Sequence, residues 1–365
     1  MRSIRMWARA AACALVVFSS SARAAESTLA PKALEVVTLA EGVHALLWTD
    51  PLADPIEGNS LVIVNDEDVV VVDTGLFPST ARRLAAEVQR LTPKPVRYVI
   101  HTHWHDDHTN GNQVFRELWP GVEFIAHVNT RVDLIAKTHN VREKDLADVK
   151  AGLAMYEAWL ADGKDSSGKA IDEARRGRIE ARMALHRAAI AEFSTLVNTP
   201  PDLTFEESMT LVRGRRTIEI RWLGRGNTRG DTVVLLPKER IAATGDLVVH
   251  PVPFAFGSYY KEWIGTLARV DSLPADVLVP GHGPVYRDRA YLRQVQNLLR
   301  ALVAEVHAAV AEGASLDDTR DRVTLSEWKE RFCGGDPSRE TAFESFFMAP
   351  AVERAWHQER GDPDE

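Results

Sequence analysis

The stretch His101-Thr102-His103-Trp104-His105-Asp106-Asp107-His108 decides how this chain is read. Four metal-ligand side chains, His103, His105, Asp107 and His108, fall within six residues, directly after the apolar run Val96–Ile100. Imidazole and carboxylate are the groups that zinc and its first-row neighbours take up readily, and no ordinary turn calls for so many of them. His103 and His105 are two apart. In extended backbone such residues point the same way, so both can reach one ion. Asp107 and His108 follow where the chain turns toward a helix, and can reach a second.

Outward from this stretch, the pattern is that of an α/β layer. Residues 34–73 read as short strands, with β-branched runs at 61–64 and 69–72 around the turn Asn65-Asp66-Glu67-Asp68. Apolar residues at 81, 84, 88 and 91 predict a helix, and Pro93 and Pro95 break the chain before the next strand. Strand–helix–strand is the order expected of helices layered on a sheet. Strand character returns at 217–223, 232–236, 241–243 and 277–279, and from 287 onward the pattern is helical. Two downstream ligand types stand at strand-to-loop junctions: Asp246 in Thr244-Gly245-Asp246, and His282 in Pro280-Gly281-His282-Gly283. Carboxyl ends of strands are where α/β sheets gather their sites.

Residues 142–197 differ. Leu146, Val149, Leu153, Tyr156 and Leu160 on one side of a polar linker, and Ile179, Met183, His186, Ile190, Phe193 and Val197 on the other, keep a 3-4 spacing. That is a heptad seam, and it predicts an antiparallel helical hairpin. It could serve as a lid, an arm for homo-oligomer formation or a packed insertion. His186 on the seam reads as a packing residue.

The 365 residues are enough for one large core with elaborations. Residues 1–24 read as a secretory signal: Arg2, Arg5 and Arg9, an apolar segment at 10–18 too short to span a bilayer, then Ala22-Arg23-Ala24. Its removal takes the formal net charge from −8 to −12, an acidic balance that argues against nucleic acid as a partner. No other segment is long and apolar enough to span a membrane, so the mature chain is expected in the periplasm or outside the cell. Cys13 leaves with the signal and Cys333 stands alone, so no intrachain disulfide is expected.

The motif set His103-x-His105-x-Asp107-His108, preceded by Asp73-Thr74-Gly75 and followed by Gly245-Asp246 and Gly281-His282-Gly283, resembles the metallo-β-lactamase superfamily over roughly residues 34–285. The resemblance implies an αββα four-layer sandwich at 34–290, carrying the hairpin as an insertion and a helical extension at 291–365. It implies one or two zinc ions, with iron or manganese also open. His103 and His105 would bind one ion together with a third histidine. Asp107, His108 and His282 would bind the other, and Asp246 would bridge them.

The third histidine's segment reads Gly224-Arg225-Gly226-Asn227-Thr228-Arg229-Gly230-Asp231 here, so its position holds Asn227, a neutral and weaker donor. Three arrangements are open: Asn227 ligates weakly, the first site is empty, or His127 or His250 swings in. The favoured one is a weakened first site that retains His103, His105 and Asp246. Asp73 and His101 are expected to hydrogen-bond behind the ligands, and Asp107 to orient the nucleophile and pass a proton. His250, Phe254, Phe256 and Tyr259, close after Asp246, are expected to form a pocket rim.

The expected activity is hydrolysis of an ester, thioester, lactone or amide bond, β-lactams included, in a small-molecule substrate by attack of a metal-bound hydroxide. A sulfatase or phosphodiesterase is the enzyme alternative, with Arg225 and Arg229 as the cations it would need. A degenerate metal- or ligand-binding protein without turnover is the other class. Some members of the superfamily carry iron with flavin partners, but no flavin-binding module is visible.

Overall fold

Val69-Val70-Val71-Val72 shows how the layers arise. Side chains alternate across a strand, and both sets are apolar, so the strand is buried on both faces. Val70 and Val72 face a core between two sheets, whereas Val69 and Val71 face a core under helices. The structure, a computed structural model, describes residues 33–49 and 56–362. The signal segment read at 1–24, with Cys13, lies outside them.

The first sheet has seven strands in sequence order: β1 (Leu34–Ala40), β2 (Val43–Trp48), β3 (Ser60–Val64), β4 (Val69–Val72), β5 (Val96–Ile100), β6 (Glu123–His127) and β7 (Leu203–Phe205). β1 to β4 pair antiparallel, and β4 to β7 pair parallel. The parallel crossovers carry helices: α1 (Pro78–Leu91), the short α2 (Asp106–Thr109) and α3 (Asn112–Leu118), then α4 (Val128–Asp162) and α5 (Glu173–Phe193).

The second sheet runs β12-β11-β10-β9-β8, from β8 (Ser208–Arg213), β9 (Arg216–Trp222), β10 (Thr232–Leu236), β11 (Ile241–Val249) and β12 (Val277–His282). α6 (Tyr260–Asp271) connects the parallel pair β11–β12. Beyond it come α7 (Ala290–Ala311), α8 (Leu316–Arg322), α9 (Ser326–Cys333), α10 (Pro337–Ala342), a π-helical turn (Phe343–Met348) and α11 (Ala349–Arg360).

Three buried clusters define four layers. Val43, Leu61, Ile63 and Ile100 of the first sheet meet Ile218, Ile220, Leu236 and Val279 of the second. The outer face of the first sheet packs on α1 and α3 through Leu84, Val88 and Phe115. The outer face of the second packs on α6, α7 and the π-helical turn through Val233, Leu235, Trp263, Leu299 and Phe347. Each such side chain contributes about 1.5–3 kcal/mol on full burial. This is the αββα sandwich expected from the sequence, with the helices from 290 onward covering the second sheet.

Two details differ from the sequence reading. The hairpin is present, but its first helix starts at Val128, directly after β6, well before the seam at 142. On the seam, His186 donates from Nδ1 to Val149 O (3.1 Å) and lies over Gly152, where a Cβ would meet its ring at 2.6 Å. Asp246 is also not at a strand end. β11 runs through it to Val249, and the register against β12 shifts at Gly245, a β-bulge that re-aims the following carboxylate. Gly245 sits at φ +52°, and a Cβ there would lie 2.4 Å from Thr102 Cβ. Among the described residues no helix is long and apolar enough to cross a membrane.

Candidate metal centre

The site lies at the carboxyl edges of both sheets. β5 ends at Ile100, and the next residues carry His101, His103 and His105 across the sheet edge into α2, which supplies Asp107 and His108. β11 delivers Asp246, and β12 ends on His282. The His282 loop is tied to the first sheet by Asn59, whose Nδ2 donates to Pro280 O (3.1 Å) and Gly283 O (2.9 Å).

Six side chains converge in two triads: His103, His105 and Asp246, and Asp107, His108 and His282. In the second, His108 Nε2 is 3.3 Å from both Asp107 Oδ2 and His282 Nε2, and His282 Nε2 is 3.0 Å from Asp107 Oδ2. Donors about 2.0–2.1 Å from one tetrahedral ion stand roughly 3.3 Å apart, so this is ligand-to-ligand spacing. Asp246 faces both triads. Its Oδ1 lies 3.3 Å from His108 Nε2 and 3.5 Å from His282 Nε2, while its Oδ2 lies 3.6 Å from His103 Nε2.

The surroundings aim the Nε2 lone pairs of two of these imidazoles, His108 and His103, at the cluster. His108 donates from Nδ1 to Asp73 Oδ2 (2.8 Å), which leaves Nε2 free to face the cluster. Thr102 donates from its backbone N and Oγ1 to Asp73 (2.9 and 2.7 Å). Its one hydroxyl proton being used, Thr102 Oγ1 accepts from His103 Nδ1 (3.0 Å), so His103 Nε2 is free as well. Asp73 itself sits at φ 60°, a sparsely occupied region for a residue with a Cβ. His101 accepts at Nε2 from Asn112 (2.9 Å), stacks on Phe124 and turns Nδ1 toward Asp73 Oδ1 at 3.7 Å.

Three observations fit the cluster to divalent cations. His103 Nε2 and Asp246 Oδ1 are buried without a hydrogen-bond partner, which is costly unless something fills the space between them. Asp73, Asp107 and Asp246 gather where no Lys or Arg pairs with them among the described residues. Burial disfavours charged imidazole at His282, yet Asp246 and Asp107 outweigh it and push its pKa up to about 9. Burial would raise Asp107 and Asp246, but the adjacent histidines hold both well below the carboxylate range. The cluster therefore demands positive charge.

Asn227 is buried, with its amide oxygen accepting from Ser258 Oγ at 3.2 Å and its Nδ2 without a partner. Neither alternative histidine is aimed at the first triad by its contacts. His127 caps α4 by accepting from Asn129 N (3.2 Å) and donates to Glu206 O (2.8 Å). His250 Nδ1 pairs with the Tyr286 hydroxyl (2.8 Å). Arg225 and Arg229 are bound to Glu262 and Asp133.

Of the rim residues, Phe254 packs its ring 5.0 Å from the His282 imidazole, and Phe256 is about half exposed. His250 lines a cavity of about 590 Å³ together with Trp48, Pro251, Gly283 and Arg339. Tyr259 is buried, its ring 4.4 Å from the Arg225 guanidinium. Sequence reasoning missed Thr102, Asn59 and Arg142. Arg142 on α4 donates from Nε to Asp106 Oδ2 (3.2 Å) and also bonds Asn110, pinning the α2 turn. Nothing in local spacing signals these contacts.

The family model described as the metallo-beta-lactamase superfamily matches residues 53–282. The chain belongs to the metallo-beta-lactamase superfamily. Among curated proteins it is similar to a linear primary-alkylsulfatase of a Pseudomonas species, 24% identical over 277 residues, covering 71% of this chain and 48% of that protein. The chain thus spans about half the length of this relative. Among solved structures, a stereoselective inverting sec-alkylsulfatase from a Pseudomonas species superposes with a TM-score of 0.59 at 15% identity, covering 91% of this chain and 51% of the other. A metallo-beta-lactamase from Pontibacter korlensis gives a TM-score of 0.49 at 20% identity, covering 73% and 99%.

Proposed function

We propose that this superfamily member is an exported two-metal hydrolase that cleaves an ester-type bond in a small molecule. The observation that carries the reading is the placement of Asp246, with one carboxylate oxygen toward each triad. His103, His105 and Asp246 would hold one ion, and Asp107, His108 and His282 the other. When bound, such ions supply a water of lowered pKa and polarise the substrate oxygen. Of the cluster's three carboxylates, Asp107 has the most open side chain, 19% exposed against 2% for Asp73 and Asp246. It is placed to orient the attacking water and receive its proton. Phe254, set against His282, keeps bulk water from that side.

Within this class, a sulfate ester of an alkyl group is the bond we favour over carboxylic ester, thioester, lactone or amide, on the strength of the similarity to a linear primary-alkylsulfatase. With Arg225 and Arg229 engaged by Glu262 and Asp133, the metal ions themselves would have to meet the sulfate's charge. The signal-like composition of residues 1–24 supports action outside the cytoplasm.

The test is metal content by elemental mass spectrometry, followed by assays on octyl sulfate, 4-nitrophenyl butyrate, a γ-lactone and a chromogenic cephalosporin. Two zinc-type ions per chain with turnover of the sulfate ester is the expected result. Bound metal with no turnover of any substrate would replace this reading by that of a binding protein.

A further inference from the structure

Phe254 is the inner member of a row of aromatic rings that begins at a metal-ligand position. Its ring lies 5.0 Å from the His282 imidazole and 5.1 Å, edge-on, from the ring of Phe346. Phe346 in turn meets Phe256 at 6.0 Å. The rings come from two distant parts of the chain: the loop after β11 and the π-helical turn Phe343–Met348. A backbone bond, Ala255 N donating to Phe346 O at 2.8 Å, ties the two together. Exposure rises along the row. Phe254 is buried, Phe346 is partly buried and Phe256 is 48% exposed. Phe343 and Phe347 of the π-helical turn are fully buried in the core under the second sheet, which anchors the turn, while Phe346 packs only partly buried against that core. π-Helical turns of this kind recur at functional sites.

A large apolar surface costs free energy in water unless something covers it. Here the open part is Phe256 and the free edge of Phe346, and Phe254 links it to the ligand cluster.

We propose that Phe254, Phe346 and Phe256 form a binding wall for an apolar hydrocarbon group of the substrate, so that the C-terminal helical region completes the substrate site. This rests on the metal-hydrolase reading above and names the specificity of that same site. The charged end of the substrate would face the two triads, and its hydrocarbon chain would lie along the three rings. Each methylene that reaches the wall should tighten binding by about fourfold at full burial and less at partial burial.

The experiment uses the zinc-loaded full chain and n-alkylphosphonates of two to eight carbons, which carry an anionic head and are not turned over. Affinity is read by titration calorimetry for the wild type and for Phe346→Ala and Phe256→Ser, both substitutions at partly open positions, with circular dichroism confirming the fold. The expected result is affinity that climbs with chain length in the wild type, a slope at least halved in both variants, and unchanged affinity for the two-carbon ligand. A flat series in the wild type, or an unchanged slope in both variants, overturns the wall. Because the readout is binding, it stands apart from catalysis. Failure of every ester to turn over would remove the hydrolase reading while the chain-length slope still decides the wall.

Discussion

His108 Nδ1 and Asp73 Oδ2 stand 2.8 Å apart, and through that one carboxylate both triads are held. Asp73 accepts the His108 Nδ1–H hydrogen bond directly and orients His103 through the hydroxyl of Thr102. A single buried anion thus sets the tautomer of one ligand in each triad. Such partners commonly alter metal affinity by about 10- to 100-fold when removed.

Asp73→Ala should therefore weaken metal binding at both triads by about 10- to 100-fold. Competition with a chromogenic chelator measures this, and Thr102→Val should affect the His103 triad more than the other. Equal affinity in wild type and Asp73→Ala would remove the relay.

Asn227 stands where a third imidazole is expected in the superfamily, and its oxygen is engaged by Ser258. Asn227→His should tighten binding of the first-triad ion by roughly tenfold, the lower scale on which changes around a metal act. Stepwise zinc titration separates the two ions. No change at the weaker step would show that position 227 does not face the first triad.

Gly281 lies against Asp246, and a Cβ there would fall 1.9 Å from Asp246 Oδ1. The backbone at this point cannot yield without moving His282. Gly281→Ala should therefore lower metal content at both triads while far-ultraviolet circular dichroism stays that of the wild type. Full metal content in this variant would mean that Asp246 is not needed where it stands.

His250, which lies outside the two triads and whose backbone N–H donates to His282 O at 3.2 Å, offers a pH test. Burial, aided by the charge of Arg339, depresses its pKa from 6.5 to about 4. Above pH 6.5 the ring is neutral in both folded and unfolded chains. Between 6.5 and 4 the unfolded chain takes up a proton that the folded chain resists, so stability is complete above 6.5 and lost as pH falls toward 4. His250→Asn, which keeps an acceptor for the Tyr286 hydroxyl, should show a smaller loss between pH 7 and 5 in urea melts. An identical loss in both proteins would count against the buried neutral ring.

The second triad carries the proposed chemistry, so Asp107→Ala and His282→Ala should each abolish turnover of the best substrate in the assay panel. Full activity in either would sink the role given to that triad.

Much of this could be read from residues near one another in the chain. The alternation of Val69 to Val72 specifies a strand buried on both faces, the 3-4 spacing through Leu153 and Met183 specifies a helical hairpin, and the crowding of His103, His105, Asp107 and His108 marks a candidate metal-binding loop. These are matters of period and local spacing, which the backbone geometry of a strand or helix converts directly into position. What the chain alone left open was the meeting of distant parts. Asp246 came to face both triads only because the bulge at Gly245 turned its carboxylate between them. Phe346 came to Phe254 only because the C-terminal helices fold back over the second sheet. Asp73, Thr102 and His108 joined across neighbouring parallel strands, and Asn59 reached the His282 loop from the other sheet. Periodicity says which face of an element is apolar, but not which element will cover it. That pairing is decided by close packing of whole layers, where side-chain volume and buried hydrogen bonds select one arrangement.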